Sequence, residues 1–183
     1  KVMTWNILAL KPIYEYKKEK LNIEDNTKRN KKIINKIKES KADIILLQEL
    51  DKHFINTWES EKLTTHKLMY DFYPEQDSEK EKCVFDCDFT TGIIYNTSYT
   101  CISKLFLYDS GMKYDRKNAF ILTLERDKKL YRFASLHCSG RNKKANEALI
   151  TDVKINLMDN TLDLAVYGGD FNKNLTEEFI ETL

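Results

Sequence analysis

The sequence predicts an α/β fold built on mixed, largely antiparallel β-sheet, and three observations carry that expectation. Residues 2–8 and 42–47 are short apolar runs, and the second is continuous enough to suit a strand buried on both faces. Between them Ile33, Ile34 and Ile37 recur at helical spacing among lysines, so the chain opens as strand, helix, strand. From Thr91 onward the pattern changes to short β-rich runs separated by turns, which reads as an antiparallel meander.

Taken in order, the first strand is followed by an insertion rich in Lys, Tyr and Glu at residues 11–26. Thr27 is the expected N-cap of the first helix, which ends near Ser40. Four runs, at residues 92–96, 101–108, 119–125 and 130–136, form the expected meander, with 126–129 as a polar hairpin turn. Ala145, Leu149 and Val153 stand four residues apart within 142–156, the mark of an amphipathic helix packed on the sheet. Residues 162–167 are the next strand, broken by Gly168-Gly169. A further helix is expected after Leu175, capped by Thr176 with Glu177 and Glu178 in its first turn. Residues 71–89 are expected to form the longest loop.

Composition narrows the class. With 183 residues and 42% hydrophobic content, the chain has the length of one domain and enough apolar material for a continuous core, which excludes disorder. Thirty basic against 29 acidic residues leave a net charge of +1, so no overall field draws the protein to a polyanion. Any such site must be local. Four cysteines are too few for a disulfide scaffold; reduced thiols and an intracellular location are expected. Cys83 and Cys87, without a second Cys/His pair at workable spacing, are weak evidence for zinc. No apolar run approaches the ~20 residues of a membrane-crossing helix. The chain opens on Lys1 inside what reads as a strand, and it is expected to be an excerpt of a longer protein.

Three buried strands each end in a polar, metal-competent residue: Thr4-Trp5-Asn6 closes the first, Leu47-Gln48-Glu49 the second, and Gly169-Asp170-Phe171-Asn172 follows the last. Singly these are ordinary. A Glu after an apolar strand is commonly a solvated strand end, and Asp-x-Asn beside glycines is commonly a turn. The ordered set is what an α/β catalytic scaffold requires.

Residues 4–8 (TWNIL), 43–49 (DIILLQE), 135–137 (SLH) and 169–172 (GDFN) together resemble the successive motifs of the endonuclease/exonuclease/phosphatase superfamily. The resemblance spans nearly the whole chain and implies a four-layer α/β/β/α sandwich, with residues 1–183 as one catalytic domain. It implies a Mg²⁺ site, with Mn²⁺ as a substitute, in which Glu49 is the principal ligand and Asn6 assists. By the same resemblance Asp170 orients or deprotonates the attacking water, Asn172 donates its amide to the phosphoryl oxygens, and His137 protonates the leaving oxygen or hydrogen-bonds a phosphate. Arg116 falls where relatives place a phosphate-contacting arginine, and an exposed loop arginine is the equally ready alternative. The family also ends on an Asp-His pair that nothing after Asn172 supplies, so its last strands are expected to lie beyond this segment.

The resemblance is closest to the nucleases. Inositol-phosphate phosphatases follow Asp-x-Asn with Tyr-Arg, where this chain has Lys173-Asn174, and abasic-site endonucleases follow the glutamate with Thr-Lys, where it has Leu50-Asp51. Trp5 to Ala9 resembles the poly(A) deadenylase and nocturnin group, while Leu136 to Gly140 is similar to the deoxyribonuclease type. A nucleic-acid phosphodiesterase is expected, with DNA and RNA both open. Basic clusters at 17–20, 28–32 and 141–144 are candidate backbone contacts, Arg141 foremost, although solvated helix faces are the commoner reading. The alternatives are a sphingomyelinase-like phospholipid phosphodiesterase and a catalytically inactive binding module of the same fold.

Overall fold

The computed structural model of the protein describes residues 1–7, 23–71, 89–108, 118–138 and 143–172. Eight strands and three helices fall in these residues: β1 (Val2–Asn6), α1 (Ile23–Ser40), β2 (Ile44–Asp51), α2 (Lys52–Ser60), β3 (His66–Tyr70), β4 (Phe89–Asn96), β5 (Thr100–Tyr108), β6 (Asn118–Arg126), β7 (Lys129–His137), α3 (Lys143–Leu157) and β8 (Leu164–Asp170). They build two four-stranded sheets, ordered β1-β2-β4-β3 and β5-β6-β7-β8. Only the β1–β2 and β7–β8 pairs are parallel, and each is bridged by a helix, as a parallel crossover requires.

Alternation along the strands sorts the apolar residues into layers. On β2, Ile45 and Leu47 pack with Ile33, Ile34 and Ile37 of α1, whereas Ile44 and Leu46 face the other sheet. On β6, Ala119 and Ile121 lie under α3 with Leu149, Ile150 and Val153, while Phe120, Leu122 and Leu124 fill the space between the sheets. The result is the four-layer α/β/β/α sandwich expected from the resemblance.

Several expectations are corrected. Residues 92–96 do not begin the meander: β4 pairs antiparallel with both β2 and β3, and the chain changes sheets at 97–99. Hydrophobic periodicity reports burial and does not report the partner, and β4 is buried on both faces, through Ile93 and Ile94. The first helix starts at Ile23, not at Thr27, with Glu24 and Asp25 in the first turn where the dipole favours anions. Gly168 and Gly169 do not break the last strand, which runs through both to Asp170. A Cβ on Gly169 would lie 1.9 Å from the Leu136 carbonyl oxygen, so glycine there permits close approach of β8 to β7.

The polar hairpin at 126–129 is as expected, with Asp127 and Lys128 at φ 54° and 62°, the pair of positive angles of a two-residue type I′ turn. α2 and β3 were not anticipated. α2 is capped by Asp51, whose carboxylate accepts from the Phe54 backbone N–H at 2.6 Å, and it buries Phe54, Ile55 and Trp58. The expected helix after Leu175, the insertion up to residue 22 and Cys83 and Cys87 lie outside the described residues. Among those described, no helix is long and apolar enough to cross a membrane.

Candidate active site

The end of the sandwich where β1, β2, β7 and β8 finish collects the polar residues, and strand parity explains how. On β1, Met3 and Trp5 pack toward α1 and α2, so Thr4 and Asn6 face the opposite sheet. Phe133, between the sheets, sets the phase of Ser135 and His137 on β7, and Val166 sets that of Gly168 and Asp170 on β8. Parallel register then places His137 beside Asp170 and Asn6 beside Gln48. β1 crosses β8 and β2 crosses β7, so the two pairs meet.

Glu49 has the wrong parity. Ile45 and Leu47 face the helices, and a regular strand would send Glu49 the same way. Instead the pairing of β2 with β4 jumps from Leu47↔Gly92 to Leu50↔Thr90, a bulge that shifts the phase by one residue. Leu50 accordingly returns to the helix-facing core. Glu49 sits in this bulge at φ 58°, a left-handed conformation that costs a non-glycine residue about 1–2 kcal/mol. The strain re-aims its carboxylate into the space between the sheets.

The resulting cluster is compact. Asn6 donates through Nδ2 to Glu49 Oε1 at 2.8 Å and to Asp170 Oδ2 at 2.7 Å, joining residues 164 apart in sequence. His137 Nε2 lies 3.6 Å from Glu49 Oε1, with the imidazole 11% and the carboxylate 15% exposed. Asp170 Oδ1 accepts from the backbone N–H of Asn172 at 2.9 Å. The side-chain amide of Asn172 turns the other way, donating to the Cys138 carbonyl at 2.5 Å. Its φ of 50° is one that Asn tolerates, and the Asn172 amide therefore braces β8 against the end of β7 instead of facing the cluster.

These residues fit a hard divalent cation. Glu49, His137 and Asp170 each offer one ligand atom within 4.8 Å of the others. Two carboxylates that converge at partial burial need a neutralising partner, and the amide between them answers only part of that charge. The two carboxylates supply the hard oxygen donors that a divalent cation takes, and the imidazole adds a nitrogen donor.

The other expected contacts fall out differently. Arg116 and Arg141 lie outside the described residues, as do the cluster at 17–20 and Asn142 of the cluster at 141–144. In the cluster at 28–32, Lys28 pairs with Glu24 at 2.8 Å, and Arg29 donates to the Ile7 carbonyl, tying α1 to the residue after Asn6. His53 and His66, which belong to none of the motifs, are half-buried; His53 Nε2 is 3.4 Å from the Thr27 hydroxyl, and His66 Nε2 is 3.1 Å from the Ala42 carbonyl. Cys138, next to His137, is buried and packs under α3. Sequence reasoning assigned nothing to Thr4, Gln48 and Ser135, which lie one layer beneath the cluster and are joined by hydrogen bonds.

Solved structures share this architecture. An endonuclease/exonuclease/phosphatase from Bacteroides vulgatus superposes with a TM-score of 0.72 at 16% identity, over 98% of this chain and 68% of that one. The human Nocturnin catalytic domain gives 0.70 at 20% identity, over 98% and 66%. D. rerio TDP2 complexed with single strand DNA product gives 0.66 at 14% identity, over 94% and 60%. At these identities the likeness is one of fold, and the chain spans about two thirds or less of the proteins it resembles. No curated protein matches by sequence. The sequence profile of the Endonuclease/Exonuclease/phosphatase family matches residues 3–178, and the chain belongs to that family of phosphoesterases.

Proposed function

We propose that the protein is a Mg²⁺-dependent phosphodiesterase that hydrolyses nucleic acid by attack of water on phosphorus. The observation that carries this reading is the convergence of Glu49, Asp170, Asn6 and His137 on one point from four strands of two sheets. Conserving shape alone gives no reason to bring two carboxylates, an amide and an imidazole together at a partly buried strand end.

Glu49 and Asn6 would hold the cation, with Asp170 in reach of the same space; when bound, it supplies charge that polarises a phosphoryl oxygen. The remaining work belongs to the chain. Asp170, fixed at one oxygen by the Asn172 N–H and at the other by Asn6, orients a water and accepts its proton. His137, on the neighbouring strand with its Nε2 3.6 Å from Glu49 Oε1, protonates the departing oxygen. Asn172 acts through Asp170 and the Cys138 carbonyl, not by direct contact with phosphate. Nucleic acid as substrate is supported by the likeness to TDP2 in complex with single strand DNA product.

The test is cleavage of single-stranded DNA and RNA oligonucleotides, with sphingomyelin vesicles in parallel. Cleavage of at least one oligonucleotide with Mg²⁺ or Mn²⁺, and its loss in excess chelator, is expected. Glu49→Gln keeps shape but removes charge, so its lost activity should return in part at raised Mg²⁺. Robust turnover in chelator, or hydrolysis confined to the lipid, overturns the reading.

A further inference from the structure

We propose that Gln48 is the positioning residue of this site: it ties the bulge that carries Glu49 to the opposite sheet, and so sets the distance of that carboxylate from His137 and Asp170. The proposal rests on the functional reading above and assigns a role to residues that reading leaves unused.

Gln48 is the last inward-facing residue of β2 before the bulge, following Ile44 and Leu46, and it is 1% exposed. Its Nε2 donates to the Ser135 hydroxyl at 2.9 Å, to the Leu46 carbonyl at 3.1 Å and toward the Thr4 hydroxyl at 3.3 Å. Ser135, 0% exposed, donates in turn to the Leu47 carbonyl at 2.8 Å. A single hydroxyl of β7 thus grips β2 twice, at Leu47 and at Gln48, immediately before Glu49. Thr4 adds a hold from β1.

This polar layer sits directly under the reacting one. Thr4 precedes Asn6 by two residues, Ser135 precedes His137 by two, and Gln48 precedes Glu49, so every residue of the lower layer shares a strand with one of the upper. The bulge needs such an anchor. Between Leu47 and Leu50, β2 loses its register with β4, leaving Gln48 and Glu49 outside that ladder. The far side is pinned by Asp51 capping α2. Gln48 pins the near side, and Glu49 is held at φ 58° between the two. Apolar residues, Ile44 and Leu46, occupy the other inward positions of β2, and Gln48 breaks that series. A buried amide with partners on three strands specifies geometry instead.

The experiment uses the full chain with Gln48→Met, which keeps length and loses the hydrogen bonds, and with Ser135→Ala and the isosteric Thr4→Val. Three quantities are read: Mn²⁺ binding without substrate, by electron paramagnetic resonance; kcat and KM on bis(p-nitrophenyl) phosphate; and the melting temperature. Gln48→Met is expected to weaken Mn²⁺ binding about 10–100-fold, as loss of a group that orients a ligand does, and to lower kcat with little change in KM. Ser135→Ala should shift Mn²⁺ affinity in the same direction, and serves if Gln48→Met does not fold; Thr4→Val should have a smaller effect of the same sign. Parent-like Mn²⁺ affinity in folded Gln48→Met or Ser135→Ala, with only a lowered melting temperature, reduces the layer to packing and overturns the proposal. If the parent chain neither binds Mn²⁺ nor turns over the diester, the functional reading itself fails and the positioning role falls with it.

Discussion

Replacing Gly169 by alanine tests how tightly β8 must approach β7 for Asp170 to reach the cluster. The added Cβ would stand 1.9 Å from the Leu136 carbonyl oxygen and 2.8 Å from its backbone N and C, all main-chain atoms that cannot rotate away. Relief requires the strands to separate by about 1 Å, which overpacking data place at about 1–3 kcal/mol. For a chain of this length that is a fall of about 2–12 °C in melting temperature. Asp170 is the next residue, paired in register with His137, so the same displacement moves its carboxylate relative to Asn6 and His137. A 1 Å misplacement costs on the order of 10²-fold in turnover. Gly168→Ala is the internal control: its Cβ would meet only the Leu46 Cδ1 methyl at 3.3 Å and Thr4 Cβ at 3.8 Å, contacts a side chain absorbs. Thermal unfolding by circular dichroism and diester hydrolysis on both variants supply the comparison. Equal effects of the two substitutions, or a Gly169→Ala protein with parent-like activity, would refute the argument that close approach of β8 positions Asp170.

Three further outcomes are expected. His137→Ala should lose on the order of 10²–10⁴-fold in kcat on an oligonucleotide yet stay near normal on a nitrophenyl diester, whose leaving group needs no proton; equal losses on both would withdraw the general-acid role. Asp51→Ala removes the cap of α2 and should cost about 1 kcal/mol, read as a lower urea midpoint at unchanged m-value. Asp159 is held below its ordinary value of 3.8 by hydrogen bonds from the Thr161 hydroxyl and backbone N–H, with Arg132 adding to them. A depressed folded value stabilises the protein above the ordinary value and is lost as pH falls through the folded one. Asp159→Asn should therefore lower the urea midpoint near neutrality and converge on the parent once pH has fallen through the folded value; a gap that persists or widens in acid would contradict the assignment.

Local pattern sufficed where chemistry and period coincide. The strand, helix, strand opening, the β5 to β7 meander and the α3 amphipathic helix were legible because burial repeats every two or 3.6 residues. Asn6 and His137 were legible as strand-end residues, and their facing follows from alternation: His137 keeps the parity of Phe133, and Asn6 has the parity opposite to Trp5. The sheet that accepts a strand is not written in its period, because β4, apolar on both faces, satisfies either sheet equally. Short α2 and β3 gave too few repeats to register, although Asp51 followed by Phe54 and Trp58 carried a capping signal.

By itself the sequence determined where the apolar runs lie and which faces their alternation buries, since both follow from covalent order and alternation. Only the tertiary structure decided that Glu49 joins the cluster, that Gly168 and Gly169 continue a strand, and that the Asn172 amide is committed to the Cys138 carbonyl. Each depends on contacts between segments far apart in the chain. Alternation would have sent Glu49 toward the helices, and the bulge that turns it inward stands where Ser135, more than eighty residues away, hydrogen-bonds β2 from the opposite sheet.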